Sequence, residues 1–512
     1  MSGRGRTWLM VVCSLGVLMV IASMVSLNAA LGSIARDTLA TQSQLTWIVD
    51  GYTLVMACLL LPAGALGDRY GRRAALQIGF AIFAVASLIP AIVDGPVALI
   101  VARSVTGIGA AAILPATLSL LTAAFPEEER NKAVGIWAGV GGSSAIAGFM
   151  GTAILTQFGP WQTIFWAFAA ASALLFVCSL TIGTSKDPAS TPIDWWGALT
   201  IGGAVAAFVY GVIEGPIRGW SDPGAFGFLI AGLVLVFVFG IIELRREHPL
   251  LDIRVFARSD MLTGSITITI LFFAMFGYFF VIMQYLQLVL GYNAVQAALS
   301  LCPLAAPLLI LAIATPWYLP RVGLRVALTT GLVLAAVGLF CICLVGQHSS
   351  FIDIAWPMLI LSAGIGLCTA PSTTAVTGAV PMSKQGVASA INDTTREVGG
   401  ALGIALAGSV LASAYSHAMS ATAGRLPAPA REPVLGSLAQ ALAVAERLGP
   451  GAGSLVSDAK DAFIQAMDSA LMMLGVVALV AAVAVGVLAP GRDGRALRIL
   501  RRMGYDRNRY RE

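Results

Sequence analysis

Residues 64–73 read Gly64-Ala65-Leu66-Gly67-Asp68-Arg69-Tyr70-Gly71-Arg72-Arg73. The stretch sits between two apolar blocks, residues 46–66 and 75–94. Each block has the length of one bilayer-crossing helix, about 20 residues. So few polar residues between two such blocks make a tight loop, and the glycines at 64, 67 and 71 suit the close turn it requires. Three arginines in a loop this short mark it as cytoplasmic, because Lys and Arg accumulate on that side of a membrane. Arginine alone would orient the chain. The added Asp68 and the spaced glycines suggest a charge-assisted network that latches helices together.

Similar apolar blocks recur on both sides of this stretch. Fourteen are expected to be membrane helices: 8–30, 46–66, 75–94, 97–124, 132–157, 160–184, 195–213, 226–244, 262–290, 296–318, 324–346, 353–379, 386–415 and 464–489. The first is too long for a signal peptide and is read as an uncleaved helix. Of the 512 residues, 58% are hydrophobic and 11% charged, against about 25% charged in a soluble domain. The mean hydropathy is +0.86. This balance excludes a soluble enzyme, a disordered chain and a nucleic-acid-binding module. A transmembrane barrel would show alternating stretches of about 10 residues. The seven cysteines all fall inside apolar blocks, so they form no disulfide framework. The 55 glycines supply small faces for close helix packing, and Gly135–Gly139 and Gly399–Gly403 have the expected four-residue spacing.

With the N-terminus in the cytoplasm, 23 of the 31 Lys and Arg fall in cytoplasmic segments, six outside, and two, Arg103 and Arg396, within spans. Both termini are therefore expected to be cytoplasmic. The tail 491–512 is basic and suits contact with anionic lipid headgroups. Residues 416–463 form a long outer loop, with a short helix expected at 437–448. Pro320-Arg321-Val322-Gly323-Leu324-Arg325 follows the tenth span and repeats the Arg, Gly and Arg offsets of Arg69, Gly71 and Arg73. That placement divides the chain 6 + 2 + 6: residues 1–184, a central pair at 185–260, and residues 261–490. Membrane proteins built from such repeats bind small molecules near the midplane, between the halves.

The stretch 64–73 resembles the cytoplasmic loop signature of the major facilitator superfamily. Further residues resemble its fourteen-helix drug:proton antiporter branch. They are Trp47-Ile48-Val49-Asp50-Gly51-Tyr52, Arg103 with Gly107 and Gly109, Asp194-Trp195-Trp196-Gly197, Gln284-Tyr285-Leu286-Gln287, and Asn392-Asp393-Thr394-Thr395-Arg396-Glu397 with Gly399-Gly400. The likeness implies an all-α integral membrane protein of bacterial inner membranes, with the major facilitator fold and no cofactor. The chain departs from the branch in three places. Ser23, Val25 and Gly32 stand where the first span usually carries an acid, a threonine and a proline. Ala147-Gly148-Phe149-Met150-Gly151-Thr152 lacks the usual proline, and Trp161-Gln162 replaces Trp-Arg.

Charges inside the membrane mark functional positions, because each is costly there. Asp393 and Glu397 are four apart and share a helix face, and Arg396 is three from Asp393. Burial and mutual repulsion favour a neutral acid while Arg396 favours an ionised one, so the cluster is a candidate proton site. Asp50 and Arg103 lie at similar depths and suggest a second pair, with Asp50 a further candidate for proton coupling and Arg103 its charge partner. The candidate residues for a substrate cavity are Asn28, Trp47, Tyr52, Trp137, Tyr278, Gln284, Tyr285, Gln287 and Asn392. No metal-ligand spacing, nucleotide loop or hydrolase motif is present. The resemblance thus implies a monomeric secondary transporter that exports small amphiphilic or lipophilic compounds in exchange for protons. Export of an endogenous lipid or metabolite is the alternative within transport. A non-transporting receptor or channel on the same scaffold is the alternative outside it.

Overall fold

The computed structural model describes residues 3–27, 42–93, 95–183, 194–246, 253–381, 384–448 and 453–492, with residues 30, 34, 37, 38, 40 and 251. Among these the regular structure is entirely helical. The helices are α1 (Gly3–Ser26), α2 (Gln42–Tyr70), α3 (Arg72–Ile92), α4 (Pro96–Ala124), α5 (Glu127–Phe158), α6 (Gln162–Ser179), α7 (Trp195–Arg218) and α8 (Pro223–Arg245). They continue as α9 (Ser259–Gln284), α10 (Ala294–Ser300), α11 (Ala305–Ile313), α12 (Thr315–Ile342), α13 (Phe351–Gly378) and α14 (Gln385–Gly424). The last are α15 (Ala428–Gly436), α16 (Leu438–Leu448) and α17 (Gly453–Leu488). Fourteen stretches are long and apolar enough to cross a membrane, with α10 and α11 together supplying one of them. A bilayer tolerates no unpaired backbone, and helices satisfy theirs internally.

Local chemistry sets the helix ends. Asp194 accepts a hydrogen bond from the Gly197 amide (3.0 Å) at the start of α7, and Asp222 accepts from Gly224 and Ala225 at the start of α8. Asn293 and Gln296 form a reciprocal capping box on α10. After α9 the chain continues through a π-turn, Tyr285–Val289. Large apolar side chains such as Ile78, Leu174, Phe237 and Val483 face outward, as a lipid-facing surface requires.

Helices α1 to α6 pack chiefly on one another, and α9, α12, α13, α14 and α17 do the same. The two bundles meet where α14 lies against α2 and α4, and where α5 lies against α11 and α13. The pair α7–α8 leans on the α2–α14 seam. Both glycine stripes serve close approach. A methyl group at Gly135 would collide with the Ala312 carbonyl of α11, and one at Gly399 or Gly403 would strike carbonyls of α9.

The structure shortens the loop expected at 416–463. The thirteenth and fourteenth spans do not stop near residues 415 and 464; they run on as α14 and α17. At 1.5 Å per residue these helices are about 60 and 54 Å long, roughly twice a 30 Å hydrocarbon core. Residues 416–423 are rich in alanine and contain neither glycine nor proline, so the helix propagates to Gly424, just short of Pro427. The expected short helix is α16. It buries Leu438, Ala441 and Ala445, while α15 buries Val434.

Candidate functional site

Residues 64–73 form the last two turns of α2, the bend at Gly71 and the start of α3. Gly71 holds φ at +119°, a left-handed conformation that a side chain would strain. Asp68 is buried and accepts from Arg72 Nε (2.8 Å), with Arg72 Nη2 also 2.8 Å away. The same carboxylate accepts from the backbone amides of Gly386 (2.7 and 2.9 Å) and Val387 (3.2 Å). These amides open α14, whose N-terminus carries a partial positive charge. A carboxylate of one bundle thus caps a helix of the other. Gly64 and Gly386 face each other so closely that a methyl group on either would strike the other's carbonyl. Arg73 Nη2 donates to the Leu180 carbonyl (2.6 Å), and Arg69 lies over the Tyr70 ring, 5.5 Å from its centroid. The related loop at 320–325 acts differently: Arg325 Nε donates to the Ala489 carbonyl (2.8 Å), at the end of α17 in its own bundle.

Two turns beyond this seam, α14 carries the charge cluster. Asp393, Arg396 and Glu397 are all buried. Arg396 Nη1 lies 4.0 Å from Asp393 Oδ1, which also accepts from Asn392 Nδ2 (3.1 Å). Arg396 Nη2 donates to Thr373 Oγ1 of α13 (3.3 Å). The guanidinium is stacked between aromatic faces of both bundles, 4.8 Å from the centroid of Trp137 on α5 and 5.1 Å from that of Phe272 on α9. Trp137 is fixed by its indole N–H, which donates to Thr117 Oγ1 (3.1 Å). Asp393 Oδ2, Glu397 Oε2 and Asn392 Oδ1 are buried with no hydrogen-bond partner among the described residues. A buried carboxylate oxygen without a partner is costly, so the cluster is open to a further proton or ligand.

Arg103 of α4 is buried in the first bundle. Its Nη1 donates to Ser23 Oγ (2.8 Å), its Nη2 to the Ser23 carbonyl (3.1 Å) and its Nε to the Ile48 carbonyl (3.3 Å). It also lies over the Tyr52 ring, 4.2 Å from the centroid, while Tyr52 donates its hydroxyl hydrogen to the Val20 carbonyl (2.9 Å). The expected Asp50–Arg103 pair falls on an Asp50 side chain outside the described residues, and Asn28 lies outside them too. The position that usually carries an acid, Ser23, is nonetheless Arg103's partner. Sequence reading missed this pairing because it looked for a carboxylate.

The expected cavity residues divide. Trp137, Tyr52 and Asn392 border the charge networks just described. Tyr278 is fully buried on α9, in a gap between α5, α9, α11 and α13. Trp47 leans instead on Tyr210 of α7, with ring centroids 5.8 Å apart. At the far end of α9, Gln284 donates to the Phe280 carbonyl (3.1 Å), Tyr285 to the Gly346 carbonyl (2.7 Å), and Gln287 is exposed. These three are not brought together with the cluster.

The comparisons with known proteins agree with this architecture. The family model described as Major Facilitator Superfamily matches residues 13–404. The multidrug resistance protein Stp of Mycobacterium tuberculosis is 31% identical over 439 residues, covering 85% of this chain and 81% of its own length. The tetracenomycin C resistance and export protein of Streptomyces glaucescens is 30% identical over 94% of this chain and 91% of its own length. The multidrug efflux pump LfrA of Mycolicibacterium smegmatis is 31% identical over 94% and 96%. Among solved structures, the proton:xylose symporter XylE superposes with a TM-score of 0.59 at 14% identity, covering 98% of this chain and all of the other, which speaks to fold alone.

Proposed function

The chain belongs to the major facilitator superfamily, and we propose that it exports small amphiphilic or lipophilic molecules in exchange for protons by alternating access. It is a multi-pass cell-membrane transporter and not an enzyme. Relatives carrying the words multidrug resistance, efflux and export support drug-like cargo. The observation that carries the coupling is the cluster on α14: the Arg396 guanidinium pairs with Asp393, Glu397 is buried next to it in sequence, and both carboxylates retain an oxygen without a partner among the described residues. With both acids ionised the cluster holds one negative charge in excess, and one bound proton cancels it. Asp393 and Glu397 are the proposed proton carriers, and Arg396 positions them.

Alternating access follows from where the cluster sits. The six-helix halves 1–184 and 261–490 rock against each other, with the central pair riding on the seam. The Asp68 cap on α14 closes the side bearing residues 64–73, which we assign to the cytoplasm together with both termini. A change of charge at Asp393 or Glu397 acts on the same helix that Asp68 holds, so protonation and release of the latch share one element. The transporter works as a monomer on this reading.

The test uses everted membrane vesicles with an acidic interior and a panel of lipophilic cations and neutral drugs. Substrate addition is expected to release protons from the native protein, and Asp393→Asn or Glu397→Gln to abolish that release while the protein still inserts. Absence of proton movement in the native protein would overturn antiport. A second reading, export of an endogenous lipid or metabolite, draws on Ser23. The hydroxyl there holds Arg103 without adding the acid usual in drug exporters of this branch. Changed membrane-lipid composition on deletion, with unaltered drug sensitivity, would favour it.

A further inference from the structure

Tyr278 stands apart from the charge networks. Its side chain is fully buried, yet its hydroxyl has no partner among the described residues. It lines a narrow gap between the bundles, with Gly142 and Ile146 on the α5 side and Phe279, Ser362 and Ile365 opposite. No charged residue lines this gap, and its other polar side chain, Ser362, spends its hydrogen on the Leu304 carbonyl. An unpaired buried hydroxyl costs about 1–3 kcal/mol. The interior volume of the gap is about 10 Å³, room for roughly one water, which needs two to four polar partners that this lining scarcely offers.

From Tyr278 a row of aromatic rings leads to the charge cluster. Phe279 stands edge-on to Phe276 (6.4 Å), which stacks on Phe272 (6.0 Å), and Phe272 lies under Arg396. A fixed cation, Arg396, therefore already occupies the Phe272 end of this row. What remains is an apolar slot with one free hydroxyl donor.

We propose that this gap is the closed form of a binding site for uncharged aromatic molecules, and that Tyr278 donates a hydrogen bond to a carbonyl or ether oxygen of the ligand. The proposal rests on the export reading above and narrows its cargo. The gap is bounded by α5 on one side and by α9, α11 and α13 on the other, so separation of the bundles widens it.

The experiment uses the full-length protein in lipid nanodiscs and two probes. Prodan is a neutral naphthyl ketone whose emission moves to the red when its carbonyl accepts a hydrogen bond. Tetraphenylphosphonium is a lipophilic cation without an acceptor. Native protein is expected to bind prodan saturably with red-shifted emission. Tyr278→Phe is expected to weaken that binding about fivefold, the worth of one neutral hydrogen bond, and to lose the red shift, with phosphonium binding unchanged. The melting temperature of the unliganded variant should equal or exceed that of the native chain, because only an unpaired hydroxyl has gone. Equal prodan affinity and emission in native and variant protein would overturn the proposal. Saturable phosphonium binding without saturable prodan binding would overturn it too, while leaving export intact. Binding of neither probe, with no transport of either, would remove the export reading and this proposal with it.

Discussion

At the scale of the residue, Arg103 shows how a buried charge is accommodated when a neighbour is not the usual acid. Two backbone carbonyls, one hydroxyl and an aromatic face share the work of a carboxylate. Charge-assisted hydrogen bonds are roughly twice as strong as neutral ones. Ser23→Ala removes the shortest of these contacts and leaves a guanidinium N–H with one partner fewer. A loss of about 1–3 kcal/mol is expected, read as a lower melting temperature in detergent. Ser23→Asp places a carboxylate beside the same guanidinium and is expected to melt at or above the native temperature. A lower melting temperature for the aspartate than for the alanine variant would show that the site rejects a second charge. Sequence alone placed Arg103 in the membrane and named its neighbourhood. It named Asp50 as the partner and passed over Ser23, because Ser23 and Arg103 are 80 positions apart and a hydroxyl carries no charge signature. The cluster on α14 was more legible: Asp393, Arg396 and Glu397 share one helix, and helical spacing brings them together. The aromatic clamp of Trp137 and Phe272 was not legible, because those rings arrive from two other helices.

At the scale of the element, α14 joins the two ends of the mechanism. Its first amides are capped by Asp68 and its third turn carries the charge cluster. The latch is a buried carboxylate with four donors around it, two side-chain and two backbone. Removing one member of such a buried pair is typically a loss of about 3–5 kcal/mol. Asp68→Asn and Gly64→Val are therefore expected to part α2 from α14 at this end, the first by charge and the second by sterics. Ala390 is buried within this seam. In a cysteine-free background, Ala390→Cys is expected to react several-fold faster with maleimide when either substitution is added. Unchanged reactivity would mean that the seam is held by apolar packing alone. The signature 64–73 pointed to a latch, but its target, 318 positions away, is a backbone amide pair that no side-chain pattern reveals.

At the scale of the whole molecule, fourteen crossings were readable because a bilayer imposes one length on every helix. The rigid projection of α14 and α17 was not readable, since residues beyond the membrane escape that constraint and propensity alone decides. The structure stiffens this projection from below: Lys460 Nζ donates to the Val289 carbonyl at the π-turn after α9 (2.7 Å), and Gln347 Nε2 to Asp461 Oδ1 (2.6 Å). Its tip, α15 and α16, lies at the opposite pole from residues 64–73, because α14 starts at the latch and runs unbroken through the molecule. An even number of crossings would place both termini on one side, and we propose from the excess of Lys and Arg at 64–73 and in the tail that this side is the cytoplasm. Two exposed positions test the assignment: Tyr70 beside the latch and Ala428 at the tip. In a cysteine-free chain, Ala428→Cys is expected to react with a membrane-impermeant maleimide added to whole cells, while Tyr70→Cys does not. In everted vesicles the order should reverse. The opposite pattern would turn the transporter over in the membrane, and the Asp68 cap would then close its outer gate.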